Sequence, residues 1–473
     1  MITFFSGLAL LLLGYLVYSK VVEKIFGISE SRKTPAITME DGVDYVPMKG
    51  WKIFLIQFLN IAGLGPIFGA ISGALWGPMA YLWIVFGSIF AGGVHDFFSG
   101  MLSERLNGAS ASEIVGTYLG NFIKQVMRIF TVVLLILVGT VFVTGPADLL
   151  GNLTGWNVGI ISLFILFYYF LSTILPIDKL IGRVYPIFGV ALMIMAVGIA
   201  LSLIFQGYEL PEMSLQNMHP NSLNAFPMLF ITISCGAISG FHATQSPLMA
   251  RTITSEKQGR KIFYGAMIAE GVIAMIWAAA AMSFYGDYQA LGNVLNTGGP
   301  ALVVNEISNT LMGKIGGILA VLGVIAAPIT SGDTAFRSAR LTVADSFKWS
   351  QKKTVSRLSL AIPLLTLGFI LTKIDFSIIW RYFSWSNQTL AMIVLWASAS
   401  FLAMNKKFHW IATGPAVFMS AVTVAYIFQA PEGFQLNPLL SNIIGIIAAL
   451  IFFSIFSFKI RKYKKEPATE SAY

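Results

Sequence analysis

Four short stretches place ionisable or strongly hydrogen-bonding side chains inside runs that are otherwise oily. AGGVHDFFSG sets His95 beside Asp96, and CGAISGFHATQSP carries Gly236, Ser239, Gly240, His242 and Gln245 ahead of Pro247. APITSGDTAFRSAR holds Thr330, Ser331, Asp333 and Arg337, and IIWRYFSWSNQTLAM holds Arg381, Trp385, Asn387 and Gln388. A charge near a bilayer centre costs about 2.5–3.5 kcal/mol on insertion scales, so such residues are candidates for function by default. His95, Asp96, His242 and Asp333 suit proton transfer, because imidazole titrates near neutral pH and a desolvated carboxylate is moved towards it. The competing reading ties His95 and Asp96 into helix packing and pairs Asp333 with Arg337 four residues on. Adjacent helical residues point about 100° apart, so His95 and Asp96 need not face one another. Thr330 and Ser331 offer hydroxyl oxygens that would hold a hard cation such as Na⁺, together with backbone carbonyls near Gly63. Arg381 would grip a substrate carboxylate through its planar fork, or else reach to the headgroups.

Other chemistries find no support. The four histidines show no metal-ligand spacing, and the single cysteine, Cys235, excludes an internal disulfide. There is no phosphate-binding glycine loop and no nucleophile elbow. The expectation is therefore no catalytic residue, no cofactor and no enzyme, with an ion gradient rather than ATP as the engine.

These residues need apolar elements to position them. Hydrophobic residues make up 56% of the 473 positions and charged residues 11%, with mean hydropathy +0.75. That composition reads as an all-α polytopic membrane protein. Crossing about 30 Å of hydrocarbon takes roughly 20 helical residues. On that measure about thirteen transmembrane helices are expected, near 3–22, 52–75, 78–102, 126–149, 156–176, 185–206, 225–247, 261–284, 312–335, 356–373, 377–404, 408–428 and 438–459. The first is read as a retained helix rather than a cleaved leader. With the N-terminus outside, all of the 31 Lys and Arg except Lys314, Lys373 and Arg381 fall on the cytoplasmic side, with the C-terminus. The net charge of +9 is thus explained by membrane orientation, and no nucleic-acid partner is expected. The basic tail FKIRKYKKE would lie on anionic lipid.

Two spans are poor helices at mid-depth. The second has Asn60, Gly63, Gly65 and Pro66 at its centre, and the seventh has the Gly236–Gln245 stretch. Proline removes a donor and glycine costs about 1 kcal/mol against alanine. Irregular backbone survives in lipid only where protein buries it or it lines a wet cavity. Five spans separate the two, so they enter from opposite sides, as in a 5+5 inverted repeat whose first helices break at the binding site. The division would be 1–51 (accessory helix and linker), 52–206 (repeat one), 207–224 (external loop), 225–404 (repeat two) and 405–473 (two accessory helices and tail). Close packing of small residues competes as the explanation for Gly69 and Gly73.

The stretches FITISCGAISGFHATQSPLMAR, IAGLGPIFGAISG, GGVHDFFSG, SGDTAFRSARL and FSWSNQTLAM, in consistent order between about Asp44 and Met404, resemble the carbon starvation protein A (CstA) family. The resemblance implies a prokaryotic inner-membrane transporter of the amino acid, polyamine and organocation superfamily with a LeuT-like core. It also implies a small substrate, a peptide or pyruvate, taken up during carbon starvation. The expectation is a secondary active importer of a small carboxylate-bearing nutrient, held between Asn60–Pro66 and Gly236–Gln245. H⁺ coupling is expected, with Na⁺ coupling, a channel or a nutrient sensor as alternatives.

Overall fold

A computed structural model describes residues 1–42, 44–174, 178–351 and 353–465; the side chains of 174–186 and 462–465 lie outside the described set, as does the tail beyond 465. Helix is the only regular secondary structure among the described residues, with no strand. In chain order the apolar helices are α1 (Ile2–Phe26), α2 (Gly50–Ile61), α3 (Leu64–Trp76), α4 (Met79–Arg105), α5 (Asn121–Thr154), α6 (Val158–Thr173) and α7 (Ile187–Phe205). They continue as α8 (Ala225–Thr232), α9 (Gly240–Ala250), α10 (Arg260–Tyr285), α11 (Tyr288–Ser346), α12 (Thr354–Leu371), α13 (Phe376–Met404), α14 (Trp410–Gln429) and α15 (Pro438–Arg461).

Ten of these are long and apolar enough to cross a membrane, or eleven when α2 and α3, bent by 46°, count as one span. Two of the expected thirteen are not among them: α6 is described only over Val158–Thr173, and residues 225–250 are split into α8 and α9 by an unwound segment. The span expected at 312–335 is part of the longer α11, which bends at Gly299 and Gly313, both at positive φ where a side chain would be strained.

Burial separates core from rim. In the apolar stretches of α4, α10 and α13, 83% of residues are buried, against 11% in α12 and 22% in α15. The central helices pack against protein on most sides, and the rim helices turn aliphatic faces outward, where lipid would meet them.

The two bent segments lie against each other in opposite directions. A Cβ on Gly65 would meet Cys235 Sγ at 2.5 Å, one on Gly69 would meet Thr232 O at 3.1 Å, and one on Gly73 would meet Ile233 Cγ1 at 2.3 Å. Trp76 Nε1 donates to Leu223 O. Residue numbers rise along one segment as they fall along the other, which fixes an antiparallel pair with the small side of each turned inward. The close packing weighed for Gly69 and Gly73 is what the structure shows, and it coexists with the breaks.

One end of the bundle is covered by a strap made of residues 27–42 and 44–49. Thr34 Oγ1 donates to Ile253 O at 2.6 Å, and Met48 N to Thr252 O at 3.1 Å. Glu256, fully buried, accepts from Arg105 Nε and Nη2, each at 3.1 Å, and from Ser29 N at 2.6 Å. The Arg105 guanidinium also lies 4.0 Å over the Phe26 ring. The opposite end carries an open cavity of about 570 Å³.

Candidate functional site

The second break is the more extended. Ser239 precedes α9 in an extended conformation, and Gly236 sits at φ +86°, 3.4 Å from Pro66 Cα at its notional Cβ. Side chains from neighbouring helices satisfy the backbone groups freed between 230 and 241. Trp83 Nε1 donates to Ile233 O, Ser88 Oγ to Gly236 O, and Gln388 Nε2 to Phe230 O and Ser234 O. Asn387 Oδ1 accepts from Phe241 N at 2.7 Å and so caps α9 in place of a residue of its own chain segment. Asn387 Nδ2 and Ser239 Oγ are 3.0 Å apart. Inside a membrane such an account must close, because each orphaned backbone group costs several kcal/mol. Ser88 belongs to a π turn, Gly87–Gly92, that lets α4 bulge around the unwound segment; a Cβ on Gly92 would strike Ala237 O.

The first break is tighter. Only Ala62 and Gly63 leave helical geometry, and α3 starts without a side-chain cap. Phe142 of α5 stands 3.2 Å from a Cβ on Gly63 and packs edge-on to Phe241, so one ring touches both breaks. Asn60 is buried.

Immediately past the second break, four ionisable side chains form one buried row. His95 Nδ1 and Asp96 Oδ1 are 2.7 Å apart, and Asp96 Oδ2 and His242 Nδ1 are 2.8 Å apart. His242 Nε2 lies 3.3 Å from Glu270 Oε2 of α10. None of the four is exposed at all. The adjacent His95 and Asp96, which the helical offset left free to point apart, do meet, at one carboxylate oxygen. Glu270 meets His242 only at ion-pair distance, and neither of its carboxylate oxygens has a hydrogen bond among the described residues. The row joins α4, α9 and α10 through protons that can sit on either partner of each contact.

The remaining expected residues sit apart from this row. Asp333 pairs with Arg337 at 3.2 Å and accepts from Ser172 Oγ, so it belongs to α11's packing against α6. Thr330 and Ser331 donate to Ala327 O, at 2.6 and 3.3 Å. α2 reaches their turn through Leu59, which packs on Ala327. Arg381 Nε pairs with Glu432 at 3.0 Å and borders the open cavity. Trp385 Nε1 donates to Thr423 O, and Gln245 Nε2 to Thr244 Oγ1. Asn387 and Gln388, expected on substrate, contact the break's backbone, and the Ser239 hydroxyl meets the Asn387 side chain.

Three residues escaped the sequence reading. Glu270 stands alone in GAMIAEGVIAM, and the cost of an intramembrane acid would have flagged it. Gln57, fully buried one turn before Asn60, leaves both amide atoms without a hydrogen bond among the described residues. Asp148, in GPADLL, lines the cavity.

The sequence model of the family described as carbon starvation protein CstA matches residues 1–162 and 146–306. An uncharacterised membrane protein of Haemophilus influenzae is 43% identical over 352 residues, covering 63% of this chain and 95% of that protein. A peptide transporter CstA of Campylobacter jejuni is 24% identical across 96% of this chain and 83% of its own length. The pyruvate/proton symporter BtsT of Escherichia coli is 27% identical across 58% of this chain and 48% of its own. Among solved structures, MhsT in complex with L-phenylalanine superposes with a TM-score of 0.54 at 16% identity, covering 85% of this chain and 97% of that one. A manganese transporter variant of Eremococcus coleocola gives 0.55 at 13%, covering 89% and 98%. The fold is that of the LeuT-like transporters.

Proposed function

This chain belongs to the carbon starvation protein CstA family, and from that premise we propose that it is a proton-coupled secondary active importer and not an enzyme. Its substrate is a small carboxylate-bearing nutrient, a short peptide or pyruvate, and it works by alternating access. The observation that carries the reading is the buried row His95–Asp96–His242–Glu270 directly behind the second break. A proton taken up there changes which contacts hold α9 to α4 and α10, and α9 is the half-helix that must move for the break to open to the other side. Substrate sits between the breaks, near Asn60–Pro66 and Gly236–Gln245, where the uncapped start of α3 presents N–H groups and a positive dipole end to a carboxylate. Residues 52–206 and 225–404 act as the inverted repeats, the cavity end faces outward and the strap end faces the cytoplasm.

Uptake of labelled dialanine and pyruvate into proteoliposomes under separate pH and Na⁺ gradients tests this. The proposal expects accumulation driven by an inward proton gradient in sodium-free buffer. Accumulation driven by Na⁺ alone contradicts proton coupling and moves the engine to Thr330 and Ser331 with the backbone near Gly63. Transport that never exceeds equilibration under either gradient contradicts secondary active transport and favours a channel.

A further inference from the structure

The cavity at the open end contains one ionisable group that nothing in the fold uses. Of its lining residues, Asp375 caps α13 through Ser377 N at 2.8 Å, His219 accepts from Asn221 N at 3.1 Å, and Arg381 pairs with Glu432. Asp148 of α5, half-buried on the cavity lining, has no hydrogen bond or ion pair among the described residues. A carboxylate that faces a cavity with no protein partner is free to pair with a cation that enters there. Its position is telling. Gly145, three residues earlier and so on the same face, is the close-approach point for Phe68 and Leu64 of α3, beside the first break. Asp148 therefore stands one turn beyond the break on the wall leading to it. Phe68 and Trp380, with ring centroids 6.1 Å apart, form the floor between cavity and break. Trp380 is 95% buried by its 5% exposure, and its indole N–H has no hydrogen-bond partner among the described residues.

The cavity lining thus offers an unpaired carboxylate, an unpaired neutral donor, and the remaining N–H groups of Arg381. We infer that Asp148 is an entry subsite for a primary ammonium, and that the cavity admits substrates carrying both an amino group and a carboxylate or amide carbonyl. The ammonium pairs with Asp148, and the carbonyl or carboxylate oxygens accept from Trp380 Nε1 and Arg381. A volume of about 570 Å³ accommodates a short peptide. A keto acid lacks the cation and leaves Asp148 unpaired, which a site built this way rejects. The inference deepens the proposed function by choosing between its two substrate classes and rests on it for the direction of entry.

Binding to the purified full-length chain, read as thermal stabilisation across a titration, tests it with dialanine, N-acetyl-dialanine and pyruvate as probes. Dialanine is expected to bind at least about tenfold more tightly than the acetylated peptide, which keeps every other group. Asp148→Asn, nearly the same size, is expected to erase that ratio, and Asp148→Glu to restore part of it. Equal binding of free and acetylated peptide, preference for pyruvate, no stabilisation by dialanine, or a ratio that survives Asp148→Asn overturns the inference. If amine-selective binding holds but proteoliposomes accumulate no dialanine, the subsite stands and the transport reading falls.

Discussion

At the residue scale the chain spends polar side chains on two distinct tasks, and only one was visible beforehand. His95, Asp96 and His242 stood out because they are ionisable in apolar spans. Their assembly with Glu270 did not, because it joins three helices far apart in sequence. Asn387 and Gln388, read from the sequence as substrate ligands, also hydrogen-bond the backbone of the break, a role that depends on groups whose freedom no sequence pattern reports. Replacing Asn387 by Ala removes the acceptor for Phe241 N and a partner of Ser239 Oγ. A loss of about 1–3 kcal/mol is expected, measured as a lowered melting temperature in detergent. Gly240→Ala drives a Cβ to 2.3 Å from Asn387 O and 2.7 Å from Ala391 N, both backbone. Since neither atom can rotate away, a comparable or larger loss is expected from overpacking, in the range of about 1–3 kcal/mol. Unchanged stability in both variants would mean the α9–α13 seam is looser than these distances indicate.

At the element scale, the breaks were legible and the strap was not. Glycine and proline at mid-depth are unfavourable in any helix, so 60–66 and 236–247 announced themselves. The span count fell short of thirteen because those same irregularities cut one span into short helices. Residues 27–49 are polar and unpatterned, and their meaning appears only when Arg105 and Glu256 are seen to clamp them. If this end closes the path to the break, Arg105→Ala will loosen it. Cys235 is the chain's only cysteine, is 3% exposed and lies against Gly65. Its alkylation by a small maleimide is therefore expected to be slow in the native chain and several-fold faster in the variant, as local opening exposes the thiol. Equal rates would assign the clamp a purely static role.

At the scale of the whole molecule, charge asymmetry and the offset of the breaks pointed to an inverted arrangement. In the structure α3 packs antiparallel to the 225–236 segment, and the fold is LeuT-like. What composition could not show is which polar residues converge, since helices of equal hydropathy differ only in the neighbours they meet. The central claim concerns the row at the core, and its direct measurement is the pH inside wild-type and Glu270→Gln proteoliposomes, followed with a trapped dye as dialanine or pyruvate is added outside without any ion gradient. The account predicts substrate-induced acidification of the lumen in the wild type, lost in the variant while counterflow exchange persists. Uptake without any pH change, or acidification that survives Glu270→Gln unaltered, would contradict it.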